Sequence, residues 1–157
     1  MAGYLGMRAV QNGHKSRWTV AWMLCSFVAQ CGVLGIRGDL RGQCPLGDVG
    51  EILVFLAWSM TIFYLLIGSS YRLSLLGVFS APVVSVMLLI AAIPGVMEAS
   101  PARAMSVEPW HEMHAALSVL SYGALGLAAI AGVMFMVLNK MLKQHEMKSG
   151  LFLKLPP

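Results

Sequence analysis

Four long apolar stretches constrain the fold of this chain more than any other feature. They cover about residues 18–36, 51–68, 73–96 and 114–138, and the only Asp, Glu, Lys or Arg among them is Glu51, which opens the second stretch. A helix needs about 20 apolar residues to cross a hydrocarbon core of ~30 Å. The stretches lack the strict apolar–polar alternation of β-barrel strands. We therefore predict an all-α integral membrane protein, a bundle of about four transmembrane helices.

The charge content supports this prediction, because only 11% of the residues are charged and 58% are hydrophobic. A soluble domain carries about 25% charged residues, so a soluble enzyme is excluded. The first stretch follows a basic segment, as a cleaved signal peptide would. Its apolar run is long and no small-residue cleavage pair stands out after it, so we interpret it as a retained span.

The distribution of Lys and Arg predicts the orientation in the membrane. Cytoplasmic loops carry the excess of these residues, and eight of the eleven fall on one side, namely Arg8, Lys15, Arg17, Arg72, Lys140, Lys143, Lys148 and Lys154. Both termini should therefore be cytoplasmic. We expect an N-terminal tail over 1–17, a membrane domain over 18–138 and a C-terminal tail over 139–157. The loops over 37–50 and 97–113 should face outward.

The basic pI and the cysteines indicate no further chemistry. The positive charge follows from topology and does not interleave with exposed aromatic residues, so we predict no nucleic-acid partner. The three cysteines form no CxxC motif, which argues against a thiol–disulfide carrier. We interpret Cys25 and Cys31 as small packing residues within a span, and Cys44 as a position in the first outer loop.

Glu51 and two prolines mark helix features. Glu51 could simply stabilise the start of its helix through the helix dipole, or its carboxylate could bind a ligand or a histidine at the outer surface. Pro82 predicts a kink near the middle of the third span. Pro94 and Gly95 should lie at the outer end of that span.

The stretch that opens the fourth span holds two histidines. His111 and His114 are three residues apart and should share one helix face, and Trp110 suits the membrane interface. Small residues recur four apart at Ala124, Ala128 and Gly132, a spacing that allows a close helix contact. We therefore expect this side of the fourth helix to face the bundle. Neutral imidazole binds iron, copper or zinc, but two hydrogen-bonded interfacial histidines would give the same pattern.

Two sequence blocks resemble the N-terminal half of the CcsA/HemX-type cytochrome c assembly proteins. Residues 44–59 (CPLGDVGEILVFLAWS) look like a family span that reads E-x-L-x-F-L-x-W. Residues 110–114 (WHEMH) and 117–125 (LSVLSYGAL) look like the pattern W-x-x-x-H-x-x-x-x-x-L-x-Y-x-A-L. Residues 75–82 (LLGVFSAP) and 153–157 (LKLPP) also fit, so that the resemblance extends over about residues 40–157.

The resemblance implies a component of c-type cytochrome maturation that handles or presents haem at the outer face of the membrane, without being an enzyme on its own. His114 then corresponds to an axial ligand of the haem iron. We take His111, Trp110 and Glu51 as further candidate cofactor-binding residues, and the family pattern does not fix the role of His111. The implied partners are haem, apocytochrome c and other maturation proteins, and the implied location is the bacterial inner membrane.

Family members continue into further spans with a tryptophan-rich outer loop and a second ligand histidine, which this chain lacks. We therefore expect the C-terminal tail to be truncated, a separate or missing C-terminal half to complete the site, and the chain alone to bind haem weakly. Two alternatives remain: a cofactor-free structural or interaction subunit of a membrane complex, and a haem-b electron carrier. The absence of histidine from the first three spans argues against the carrier.

Overall fold

A computed structural model describes residues 17–71, 74–97 and 108–152, and these residues form helices and turns without any strand. The four helices are α1 (Arg17–Arg41), α2 (Val49–Tyr71), α3 (Ser74–Ala91) and α4 (Pro109–Phe152). The predicted all-α fold and the four helices are confirmed. Within the described part, α1, α2 and α4 are long and apolar enough to cross a membrane, whereas the apolar part of α3 is shorter, Leu76–Ala91. The predicted tails lie outside the described residues over 1–16 and 153–157.

The third helix is shorter than the predicted span, which ran to residue 96. It ends at Ala91, and residues 92–97 form turns in which the Ile93 amide bonds to the Ile90 carbonyl and the Val96 amide bonds to the Ile93 carbonyl. Proline at position 94 has no N–H with which to continue a helix. Gly95 has φ +91°, a conformation that glycine adopts without steric cost. The helix continues through Pro82, and the kink there stays a prediction.

The fourth helix is longer than the predicted span. Its 44 residues correspond to about 66 Å at 1.5 Å per residue, roughly twice the hydrocarbon thickness. The apolar portion is Pro109–Lys140. The predicted C-terminal tail is therefore helical as far as Phe152, as a continuation of the membrane helix.

The second helix lies at the centre of the bundle, because α1, α3 and α4 all pack against it. One group of buried residues joins all four helices and comprises Met23, Tyr64, Leu76, Ala81 and Leu127. The hydroxyls of Ser59 and Thr61 are buried on α2 and bond to carbonyls of the same helix, at 2.8 and 2.7 Å. These bonds satisfy polar groups that would be costly to leave unpaired in a membrane.

Two glycines allow helices to approach closely. A Cβ at Gly123 of α4 would lie 1.7 Å from the Ser59 hydroxyl oxygen of α2, and a Cβ at Gly77 of α3 would lie 2.6 Å from the Tyr64 hydroxyl oxygen. Gly132, by contrast, has nothing within 4 Å. The predicted contact through Ala124, Ala128 and Gly132 is therefore wrong, because α4 meets α2 through the neighbouring face that carries Gly123 and Leu127.

Candidate functional site

The predicted site residues lie at one end of the bundle, where α1 and α3 end and α2 and α4 begin. We call this the histidine end. The Gly50 amide of α2 bonds to the Val96 carbonyl after α3, at 3.2 Å. Gly123 of α4 lies against Ser59 of α2, and Leu127 packs with Tyr64 about one turn further on, so α2 and α4 run in the same direction. The start of α4 and the start of α2 are therefore neighbours.

Glu51 is the most buried of the predicted site residues, with 0% exposure. Its Oε2 accepts a hydrogen bond from the Gly47 amide at 3.0 Å. Its Oε1 lies 2.8 Å from Arg41 Nε and 3.9 Å from Arg37 Nη1. The Arg41 N–H does not point at Oε1 well enough for a hydrogen bond, so this contact is an ion pair only.

Asp48 completes this group, because its carboxylate accepts a hydrogen bond from the other branch of the Arg41 guanidinium. Arg37 also donates a hydrogen bond to the Met97 carbonyl, after α3. We call Arg37, Arg41, Asp48 and Glu51 the charged cluster. Two guanidinium and two carboxylate groups give it no net formal charge. The charged cluster ties the end of α1 to the start of α2 and to the segment that follows α3.

The structure thus gives Glu51 more contacts than a helix cap alone requires. Its carboxylate contacts two arginines and a loop amide, and no described contact joins it to either histidine. Arg37 and Arg41 were used in sequence reasoning only as topology charges, and their pairing was missed. Arg37 and Arg41 are four apart and share one face of α1, but this spacing does not say which carboxylates they meet.

His111 and His114 lie in the first two turns of α4, and both are exposed. His111 Nδ1 lies 3.3 Å from Glu108 Oε2, a surface contact between side chains that are about 70% exposed. Such pairs contribute little to stability. The His114 imidazole has no hydrogen bond or ion pair with another described residue, and only its backbone carbonyl is engaged, by the Ser118 hydroxyl at 2.7 Å.

The histidines share one face of α4, as predicted, but this face points away from α1, α2 and α3. Exposed residues continue along it through Ser121, Tyr122 and Leu125. The expectation that the histidine face contacts the bundle is therefore wrong for the described helices. The reason is the close contact at Gly123, which fixes the rotation of α4 and turns Leu127 inward instead.

The surroundings of His114 are largely apolar. Trp110, Met113 and Leu117 are exposed on α4, at 74%, 47% and 56%. A flat apolar ligand could cover these side chains while an imidazole nitrogen reaches its centre. The described residues contain no group of three His, Cys, Asp or Glu side chains that could hold a metal ion. A zinc site of the usual composition needs such a group, whereas haem iron needs only one or two axial ligands.

Cys44 lies beside the start of α4 and is half-buried. Burial raises the pKa of its thiol above the ordinary value, and the nearby carboxylates of Glu112 and Glu51 raise it further. The thiolate is therefore disfavoured at neutral pH, and Cys44 is a poor nucleophile. Cys25 and Cys31 lie on the exposed side of α1, where the Cys31 sulfur accepts a hydrogen bond from the Trp58 indole at 3.1 Å.

Comparison with known proteins gives one consistent family. The family model described as cytochrome C assembly protein matches residues 46–157, a range that includes both histidines, Glu51 and Asp48 but not α1. The chain is 32% identical over 123 residues to a cytochrome c biogenesis protein CcsA from Nostoc punctiforme, covering 76% of this chain and 35% of the relative. No solved structure matches.

Two further relatives with the same name come from eukaryotes. The protein from Ranunculus macranthus is 33% identical over 120 residues, covering 74% of this chain and 38% of the relative. The protein from Porphyra purpurea is 32% identical over 110 residues, covering 68% and 34%. The chain thus spans about a third of the length of the curated relatives that it matches.

Proposed function

Since the chain belongs to the cytochrome c assembly protein family, we propose that it takes part in the maturation of c-type cytochromes. In this proposal the chain handles or presents haem at the outer face of the membrane, for attachment to apocytochrome c. Haem is the cargo of this process, and the chain supplies binding and orientation. It is a maturation component and not an enzyme on its own.

The observation that carries the proposal is the environment of His114. Its imidazole is exposed at the start of a membrane helix and has no partner among the described residues. The neighbouring exposed side chains of Trp110, Met113 and Leu117 offer an apolar surface for a porphyrin. We propose His114 as an axial ligand of the haem iron and Trp110 as a ring that packs against the cargo.

His111 has a different part in the proposal. Its Nδ1 already has a partner in the Glu108 carboxylate, whereas the His114 imidazole has none among the described residues. We propose that His111 contributes polarity at the edge of the haem site and does not ligate the iron when His114 is present.

In this proposal Glu51 holds the loop next to the haem site in position. The charged cluster fixes the loop over residues 42–48 against α1 and α2, and this loop lies beside the start of α4. A fixed loop keeps the surface next to His114 in one arrangement, which lowers the entropic cost of binding. Glu51 is thus a positioning residue for the haem site.

The location and partners follow from the same family membership and from the charge pattern. Three of the described helices are long and apolar enough to cross a membrane, and we propose the bacterial inner membrane with the histidine end outside. The partners are apocytochrome c, other maturation proteins and a further or separate membrane portion with a tryptophan-rich outer loop. That portion would cover the exposed histidine face of α4 and bring the second axial ligand.

A complementation experiment tests the proposal. The encoding gene is deleted, and covalently bound haem in c-type cytochromes is measured after restoring either the native chain or His114→Ala at equal protein level. We expect the deletion to abolish holocytochrome c, the native chain to restore it, and His114→Ala to restore much less. Full holocytochrome c in the deletion strain would contradict the proposal, whereas full restoration by His114→Ala would contradict the ligand assignment.

A further inference from the structure

A cavity of about 230 Å³ lies between α1, α2 and the end of α3, away from the histidine face of α4. Its wall is formed mainly by Ser26, Gln30, Val33, Val54, Leu88 and Met97. The space exists because α1 and α3 both pack on α2 but make little contact with each other. Among the described lining residues, only Ser26 and Gln30 carry hydroxyl or amide side chains, and the others are apolar.

Gln30 is buried, with 3% exposure, within the apolar span of α1. Its Nε2 donates a hydrogen bond to the Ser26 hydroxyl oxygen at 3.1 Å. Its Oε1 is buried and has no hydrogen-bond partner in the part of the chain that the structure describes. A buried carbonyl oxygen without a donor is a costly arrangement, and it is more costly where the surroundings are hydrocarbon instead of water.

A water molecule in the cavity would offset little of the cost of leaving Gln30 Oε1 unpaired. A buried water molecule needs two to four polar partners, and the lining offers only the amide of Gln30 and the hydroxyl of Ser26, which already bond to each other. The cavity opens at the surface of the bundle, where its lining residues Ala29 and Ala92 are exposed, so its apolar wall can be reached from the bilayer. One molecule with an apolar body and a hydrogen-bond donor would relieve the cost at Gln30.

We propose that this cavity binds a small bilayer-soluble molecule, or the end of a larger one, that carries a single hydroxyl or N–H group. The donor bonds to Gln30 Oε1 and the apolar body packs against Val33, Val54 and Leu88. The volume is below the usual range for drug-sized ligands, so the site accepts about one ring or a short chain. This site is separate from the haem surface and does not depend on it.

The cavity also connects to the charged cluster through one residue. Met97 lines the cavity, and its backbone carbonyl accepts a hydrogen bond from Arg37. Arg37 in turn lies 3.9 Å from Glu51. A molecule bound in the cavity would therefore contact Met97, in the segment after α3 that bonds to Arg37 at the histidine end.

The test uses three fluorinated probes of similar size and the full chain in nanodiscs, with binding measured by ¹⁹F NMR. 4-Fluorophenol carries a donor, 4-fluoroanisole carries only an acceptor, and 4-fluorotoluene carries neither. We expect saturable binding of 4-fluorophenol that is about 2- to 10-fold tighter than that of the other two, the size of one net hydrogen bond. Equal affinities, or tighter binding of 4-fluoroanisole, would overturn the proposal.

Three variants locate the binding. Gln30→Leu should remove the preference for 4-fluorophenol, whereas the matched change Gln43→Leu in the loop after α1 should preserve it. Ala29→Phe places a ring at the cavity wall and should weaken binding of all three probes. Ala29 is exposed, so this variant stays informative if Gln30→Leu fails to fold. A preference that survives both Gln30→Leu and Ala29→Phe would show that the probes bind elsewhere.

Discussion

Glu51 shows how the contacts of one residue change the interpretation of its role. As a helix cap alone, it would contribute about 0.3–1 kcal/mol through the helix dipole. The structure adds ion pairs with Arg41 and Arg37 and a hydrogen bond from Gly47, all around a fully buried carboxylate. Its effect on stability should therefore exceed that of a cap.

The first prediction concerns removal of this charge. Glu51→Gln leaves two buried or partly buried guanidinium groups with one carboxylate, and breaking a buried pair typically costs about 3–5 kcal/mol. We expect a clear loss of thermal stability in detergent and a lower protein level in membranes. Glu108→Gln, at an exposed site, is the matched control and should change neither. A Glu51→Gln variant as stable as the control would show that the ion pairs contribute nothing.

The second prediction concerns the thiol of Cys44. Since burial and then the carboxylates of Glu112 and Glu51 raise the pKa of Cys44, the reactive thiolate appears only as the pH rises above its usual titration range. Labelling of whole cells by a membrane-impermeant maleimide should be slow at neutral pH and accelerate with pH. Glu112→Gln removes one negative charge, so the pKa should fall and labelling at a given pH should become faster.

Two controls accompany this measurement. Cys44→Ser should abolish the label, and Glu108→Gln should leave the pH profile unchanged. Labelling that requires cell lysis would contradict the proposed orientation, in which the loop after α1 faces outward. A profile unaffected by Glu112→Gln would contradict the proximity of this loop to the start of α4.

At the scale of helices, hydropathy and helix-breaking residues predicted most of what the structure contains. The number of helices follows from the length of the apolar stretches, and the end of α3 follows from Pro94 and Gly95. The rotation of α4 was not predictable in the same way. Ala124, Ala128 and Gly132 have the right spacing for a contact, yet the contact forms at Gly123 because the partner surface at Ser59 fits there.

The same limit applies to the candidate site. Sequence reasoning found His111, His114 and Glu51, because their types and positions stand out in an apolar chain. It did not find the charged cluster, because Arg37 and Arg41 belong to α1 and Glu51 belongs to α2, and their pairing depends on how α1 packs on α2. Side-chain partners across helices are a property of tertiary packing, which hydropathy and spacing do not specify.

The third prediction tests the packing of α4. Gly123→Ala places a methyl group within 1.7 Å of the Ser59 hydroxyl oxygen, so α4 has to move away from α2. We expect a lower thermal unfolding midpoint in detergent. Gly132→Ala is the matched control, since it meets nothing within 4 Å, and it should be neutral or slightly stabilising because alanine favours helix by about 1 kcal/mol. Equal midpoints for the two variants would contradict the described contact.

At the scale of the whole molecule, the exposed face of α4 carries polar side chains that the described helices leave uncovered. The chain spans about a third of its curated relatives, and the face that carries His114, Ser121 and Tyr122 is not covered by the described helices. Tyr122 lies about 20 Å along α4 from its start, well within the apolar portion. The Ser121 hydroxyl bonds to the Ser118 carbonyl of the same helix, but the Tyr122 hydroxyl at this depth is costly when it faces lipid, so we propose that a further membrane portion covers this face.

Haem binding by a complex with that portion tests the central claim most directly. The chain is co-expressed with a partner that supplies the tryptophan-rich loop, and the Soret band of the purified complex is recorded. We expect a weak or absent band for the chain alone and a clear band for the complex. His114→Ala should abolish or shift the band, added imidazole should partly restore it, and His111→Ala should change it much less. A complex whose spectrum is unchanged by His114→Ala would contradict the assignment of His114 as a haem ligand.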